Sequence, residues 1–204
     1  MKRHVGLHPL AALGLTAVLA GSVFAATNIL TNGGFEAPNP FVDWTTVTNV
    51  QTRQFPNSVA PGQALTGQVA EVSTQSGTLG VLVSKTFNPG ISSVVMRLSG
   101  YYARSPELNT GSATPVSGQN QAVVRIVSND TLNGDKHVAF LVHSQAKFGT
   151  VSATNLQWRP FDLFFRTNGG PNTIKILGVA SSNPQGPAGR GILLDGLNLR
   201  VISN

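Results

Sequence analysis

Gly191-Ile-Leu-Leu-Asp-Gly-Leu-Asn-Leu-Arg-Val201 is the stretch that decides the fold. Leu193, Leu197, Leu199 and Val201 share one parity, the period of a strand that turns one face to a core. Asp195 lies in the same row. A carboxylate among apolar side chains must be hydrogen-bonded, paired or metal-bound, because burying it alone costs several kcal/mol.

The same period recurs outward from this segment. Val94, Met96, Leu98 and Tyr102 share one parity, with Arg97, Ser99 and Tyr101 on the other, and Phe161, Leu163 and Phe165 alternate with Asp162 and Phe164. Short runs rich in Val, Ile, Leu, Thr and Phe, bounded by Gly, Pro, Asn and Ser, predict strands. They cover Thr78–Phe87, Val94–Tyr102, Ala122–Ser128, Val138–His143, Trp158–Arg166, Thr173–Ala180 and Ile192–Ile202, with weaker runs at Asn28–Thr31, Trp44–Thr52 and Gln68–Ser73. No stretch beyond residue 26 keeps a helical period for ten residues. About ten strands with frequent turns give an all-β chain, a sandwich or barrel in a single domain spanning 27–204. Ser105–Gln121 is the longest expected loop, and Asn32-Gly33-Gly34 is expected to be a tight turn using positive φ.

Residues 1–26 have the order of a cleavable signal peptide: Lys2 and Arg3, an apolar run from Leu10 to Leu19, then small residues at Ala25 and Ala26. The apolar run is shorter than the roughly 20 residues of a membrane span, and no second one follows. Export to the periplasm, cell surface or medium of a bacterium is the expectation, with no transmembrane span in the mature chain. Without Lys2 and Arg3 the net charge falls from +6 to +4, and the remaining cations are scattered singly from Arg53 to Arg200. A nucleic-acid surface needs a basic stripe, so that class is excluded. The chain has no cysteine, so an exported fold of this kind rests on its core alone.

Catalytic signatures are missing. The chain contains no G-x-S-x-G, H-E-x-x-H or phosphate-loop motif, and nothing selects two of its eight acidic residues as a glycosidase pair. His137 and His143, on one side of an extended strand, would stand about 20 Å apart, too far for a shared metal. The chain is expected not to be an enzyme.

Four segments carry a family resemblance: Asn28-Ile-Leu-Thr-Asn-Gly-Gly-Phe-Glu36 at one end, Leu98-Ser-Gly-Tyr-Tyr-Ala-Arg104 and Trp158-Arg-Pro-Phe-Asp-Leu-Phe-Phe-Arg-Thr167 between, and Gly191–Val201 at the other. Together they resemble the galactose-binding-domain-like jelly roll, in particular carbohydrate-binding modules of the cellulose- and xylan-binding kind. The resemblance implies a β-sandwich with Trp44 and Trp158 in the core. It also implies a structural calcium ion held by Glu36, Asp195 and backbone carbonyls; an arginine pair or a turn cap is the other reading of Asp195. The function implied is noncatalytic binding of envelope or extracellular polysaccharide. Tyr101, turned away from the core side of its strand, is the stacking platform, with Arg97, Arg104 and Arg125 as candidate partners for sugar hydroxyls. Such modules usually accompany a catalytic domain, and no catalytic signature is present here. A structural accessory subunit of a cell-surface or S-layer-like complex, held by protein contacts, is therefore the alternative.

Overall fold

One left-handed residue, Asn49 at φ 49°, carries the chain from one layer of the fold to the other. Asparagine tolerates this conformation better than most residues. Before it, β1 (Trp44–Thr48) joins one sheet; after it, β2 (Val50–Gln54) joins the second. The single strand expected over Trp44–Thr52 is thus two strands with a corner between them.

The computed structural model describes residues 28–63, 67–89, 94–108, 121–130, 134–167, 170–180 and 190–203. The expected signal segment and most of the Ser105–Gln121 loop lie outside them. The remaining strands are β3 (Gln68–Ser73), β4 (Val81–Ser84), β5 (Val94–Arg104), β6 (Gln121–Asp130), β7 (Gly134–Ser144), β8 (Arg159–Thr167), β9 (Asn172–Val179) and β10 (Gly191–Ser203). A single helical turn, α1 (Gln145–Phe148), follows β7. The sheets have the orders β1-β4-β9-β6-β7 and β2-β3-β10-β5-β8, and the registered neighbours are antiparallel. The described chain is an all-β sandwich, as the alternation predicts.

Alternation also explains the core. Val94, Met96 and Leu98 of β5 are fully buried and meet Leu82, Ile126, Ile174 and Ile176 of the facing sheet. Each such side chain contributes roughly 1.5–3 kcal/mol when removed from water. Trp44 belongs to this core, with its ring stacked 6.4 Å from Phe35.

Two bulges overturn parity expectations. In β10 the register slips between Asp195 and Asn198, and Gly196 adopts φ 59°. The extra residue flips the second half of the strand. Leu197 and Leu199 face the sandwich core, whereas Leu193 packs in a second cluster on the sheet's outer side. Asp195, two residues from Leu193, lies with it and not in the core row. In β7 the register slips opposite Ile126 and Val127, so His137 is exposed while His143 is buried. The two histidines are not on one side of the strand.

The turn at Asn32 also works differently from expectation. Phe35, not a glycine, takes the positive φ, at 57°. Gly33 is needed for space: a Cβ there would lie 1.7 Å from the Leu197 carbonyl oxygen. Asn28–Thr31 forms no strand. Its first side chain mimics one, accepting from the Leu199 N–H at 2.8 Å and donating to the Leu197 carbonyl at 3.3 Å. No helix among the described residues is long and apolar enough to cross a membrane.

Candidate functional site

The outer face of β2-β3-β10-β5-β8 is divided. Over β2, β3 and the start of β10, loops cover a second apolar cluster of Phe55, Val69, Ala103, Leu156 and Leu193. Trp158 packs against it and donates its indole N–H to the Ser58 carbonyl at 2.7 Å. Beside the cluster Glu71, 0% exposed, accepts from Gln51 (3.2 Å), Arg190 (3.1 Å) and the Gly191 N–H (3.2 Å). Glu107 bridges Arg53 and Arg190, completing a network of two glutamates and two arginines.

Over the rest of β10, β5 and β8 the described residues leave an open concavity of about 410 Å³. Register orders this side of the sheet in three cross-strand rows: Asp195, Tyr101 and Pro160; Asn198, Ser99 and Asp162; Arg200, Arg97 and Phe164. Of these, Tyr101, Pro160, Asn198, Ser99, Asp162 and Arg97 line the concavity, whereas Asp195 is buried. Arg97 donates to Asp162 through Nε (2.7 Å) and an Nη (2.8 Å), in the bidentate geometry that fixes both groups. The Arg97 guanidinium holds the Asp162 carboxyl below its ordinary range, and Asp162 in turn raises Arg97. The same guanidinium lies 5.9 Å from the Phe164 ring centre. Arg200 donates through Nε to the Asn198 side-chain oxygen at 3.1 Å. Tyr101 is half-exposed and lines the concavity.

The structure brings together two of the four residues expected to meet a ligand, Arg97 and Tyr101. Arg104 is 3% exposed, and burial lowers its guanidinium to about 10, because three residues beyond Tyr101 the strand parity returns it to the inner side. Arg125 belongs to β6 of the other sheet, opposite Phe140. Neither shares the surface of Tyr101, so the expected four-residue platform does not form. Tyr102 faces inward as parity predicts, against His143 and Phe161, each 6.2 Å between ring centres. Sequence reasoning passed over Asp162, Asn198 and Phe164 as site residues. Alternation in β8 marked Asp162 and Phe164 as outward, but only the register places them beside Arg97. The β10 bulge hid the outward aim of Asn198.

No protein-family model and no curated protein matches the sequence. Solved structures do. The CBM22-1 xylan-binding domain from Paenibacillus barcinonensis aligns with a TM-score of 0.50 at 15% identity, over 88% of this chain and 97% of that one. TmCBM61, solved in complex with β-1,4-galactotriose, aligns with a TM-score of 0.52 at 14% identity, over 87% of this chain and 100% of that one. The fold is the jelly roll of carbohydrate-binding modules. At these identities the likeness is one of architecture.

At the edge of its open face this jelly roll buries a second polar group. Asp195 is 0% exposed; one oxygen accepts from the Gly196 N–H at 2.7 Å, and the other has no hydrogen-bond partner. Burial pushes its carboxyl up to about 7, and the nearby Glu36 carboxylate adds to the rise. Glu36 accepts from the Gln68 N–H at 3.2 Å. A side chain at Gly34 would come within 3.2 Å of the Gln63 amide oxygen and 3.7 Å of Asp195 Oδ1, so three oxygen-bearing groups crowd this corner. Among the described residues no cluster of three or more His, Cys, Asp or Glu exists. A hard cation here would rest on two carboxylates completed by amide and backbone oxygens. An orphaned buried oxygen beside a second carboxylate fits that donor set.

Proposed function

We propose that the chain is an exported, noncatalytic binding module for envelope or extracellular polysaccharide, with the open half of the β10-β5-β8 face as its ligand surface. The observation that carries this reading is the half-buried Tyr101 ring in a concavity that also presents the polar side chains of Arg97, Ser99, Asp162 and Asn198. An aromatic face with a few fixed polar groups suits a sugar ring, which is apolar on its faces and polar at its edge. The two similar structures add support: one is described as xylan-binding and the other holds a galactotriose. The noncatalytic part is supported by Asp162, the carboxylate lining the concavity. It is held in two hydrogen bonds to Arg97, whereas hydrolysis needs a pair of carboxyl groups across the scissile bond. We further propose that Glu36 and Asp195 hold a structural calcium ion that neutralises the buried Asp195 and ties the first segment to the last strand.

The test is calorimetric titration of residues 27–204 with soluble xylan, galactan and envelope polysaccharide, in wild type and Tyr101→Ala. Binding that weakens severalfold in the variant, with an unchanged melting temperature, supports the reading. Absence of binding to every polysaccharide overturns it.

The accessory-subunit alternative has its own observation. On the opposite sheet Phe140 is 53% exposed and Val142 37%, both on β7. Exposed apolar side chains on a sheet face suit a protein contact.

A further inference from the structure

Phe164 is 59% exposed, the largest exposure of any bulky apolar side chain among the described residues. It belongs to β8, at the edge of its sheet, and to the same outward face as Asp162. Its row, shared with Arg97, lies two rows from that of Tyr101. Alternate residues of a strand are about 7 Å apart, so the two aromatic rows are separated by about 14 Å along the strand. The row between them holds no aromatic, only Ser99, Asp162 and Asn198.

We infer that Phe164 is a second stacking platform, and that the site takes a linear glycan of at least four sugar units running along β5. This rests on the polysaccharide reading above. With bonds near 1.5 Å, a pyranose ring places its linkage oxygens roughly 5 Å apart. The outer rings of three consecutive units are centred only about 10 Å apart, short of the spacing of the two aromatic rows, whereas those of four are about 15 Å apart. Four consecutive units therefore place the outer rings on the two aromatics and the inner two over the polar row. There the Ser99 hydroxyl, the Asp162 carboxylate and the Asn198 amide meet their hydroxyl groups, with Asp162 held in place by Arg97. The direction is set as well: the covered half of the sheet face, with Leu193 and Trp158, blocks extension past Tyr101 on that side.

The experiment is a length ladder. Neutral β-1,4-linked gluco-, xylo- and galacto-oligosaccharides of two to six units are titrated into wild type, Phe164→Ala and Phe164→Tyr. The expected result is an affinity that rises at least tenfold from two units to four and then levels off. Phe164→Ala should lose most of that gain, fall to near the disaccharide value at every length, and leave disaccharide binding within twofold. Phe164→Tyr should restore the gain, and both variants should melt with wild type, since the side chain is exposed. Binding that is independent of length, or a length gain that survives in Phe164→Ala, overturns the second platform while the polysaccharide reading stands. If wild type binds soluble polysaccharide at no length, the underlying reading fails instead.

Discussion

The covered and the open halves of one sheet face are built from the same strands, yet they are different kinds of surface. Over β3 and the start of β10 the outward side chains are Val69, Glu71 and Leu193, and loops bury all three. Over the end of β10 the outward positions are Asn198 and Arg200, and no described loop crosses them. The change falls at Asp195 and Gly196. The difference teaches that the surface proposed to bind need not be an addition to the sandwich. It is the part of the sheet that the described loops leave uncovered, and the covered part shows what the same strands do when a loop supplies apolar partners.

The comparison can be broken first on its covered side. Leu193→Ala should remove about 3 kcal/mol and lower the melting temperature by roughly 10 °C, because a fully buried side chain leaves a cavity. Oligosaccharide affinity at a temperature where the variant is folded should stay within twofold. Thermal melts with titration of the same sample check both. Loss of affinity without loss of stability would show that the two halves are one site.

The boundary gives the next effect, and its sign depends on pH. Without a cation, the Asp195 carboxyl titrates near 7 in the fold and near 4 in the unfolded chain. Between those values the folded state holds a proton that the unfolded state has released, so stability falls as pH rises through the window. A bound calcium ion replaces that proton. Chelator should therefore lower the melting temperature by several degrees at pH 8 and by much less at pH 5, and Asp195→Asn should show neither the fall in stability between about pH 4 and 7 nor the calcium response. His143 has the opposite sign. Burial lowers its imidazole to about 4, so its contribution is present above pH 6.5 and lost as pH falls toward 4. That acid slope should persist in Asp195→Asn. A calcium response that survives in the variant would locate the ion elsewhere.

The smallest effect belongs to the open half. Tyr101→Ala should cost about 1 kcal/mol of binding, a fivefold loss, and leave the melting temperature within about 2 °C. The same titration with Tyr102→Ala should instead destabilise the fold, since Tyr102 packs on His143 and Phe161 from within.

Most of the sandwich was legible because strand alternation is a local property. The segment Gln68–Ser73 matches β3 at both ends, and Val94–Tyr102 falls short of β5 by two residues. Legibility failed where one residue changes the frame. Gly196 flips the second half of β10 and the slip opposite Ile126 flips the start of β7, and neither leaves a mark in hydrophobic pattern alone. Of the open face, Tyr101 and Arg97 were readable from their own strand. Asp162, Phe164 and Asn198 were not, because their place beside Arg97 depends on which strands are neighbours, a long-range fact. Arg104 shares the parity of Tyr102 and could join Tyr101 only through a strand end or bulge near Ala103; the register is regular there, so Arg104 stays inside.

The clasp between Asn28 and β10 has a mechanical consequence. Ile29 donates to the Leu199 carbonyl at 2.7 Å, and the Asn28 side chain spans the Leu197 and Leu199 backbone. From Asn28, held at Leu199, to Gly33, held at Leu197, this segment thus runs antiparallel to β10, so the start of the segment and the end of the strand lie toward the same end of the pair. Tension applied between these two ends would load the bonds one after another, as in a zipper, rather than all together in shear. A polymer held on the open face while both ends were pulled would therefore see this seam part first. Because the seam also carries Glu36 and Asp195, the ion proposed there would act as a rivet, raising the force at which the seam begins to open.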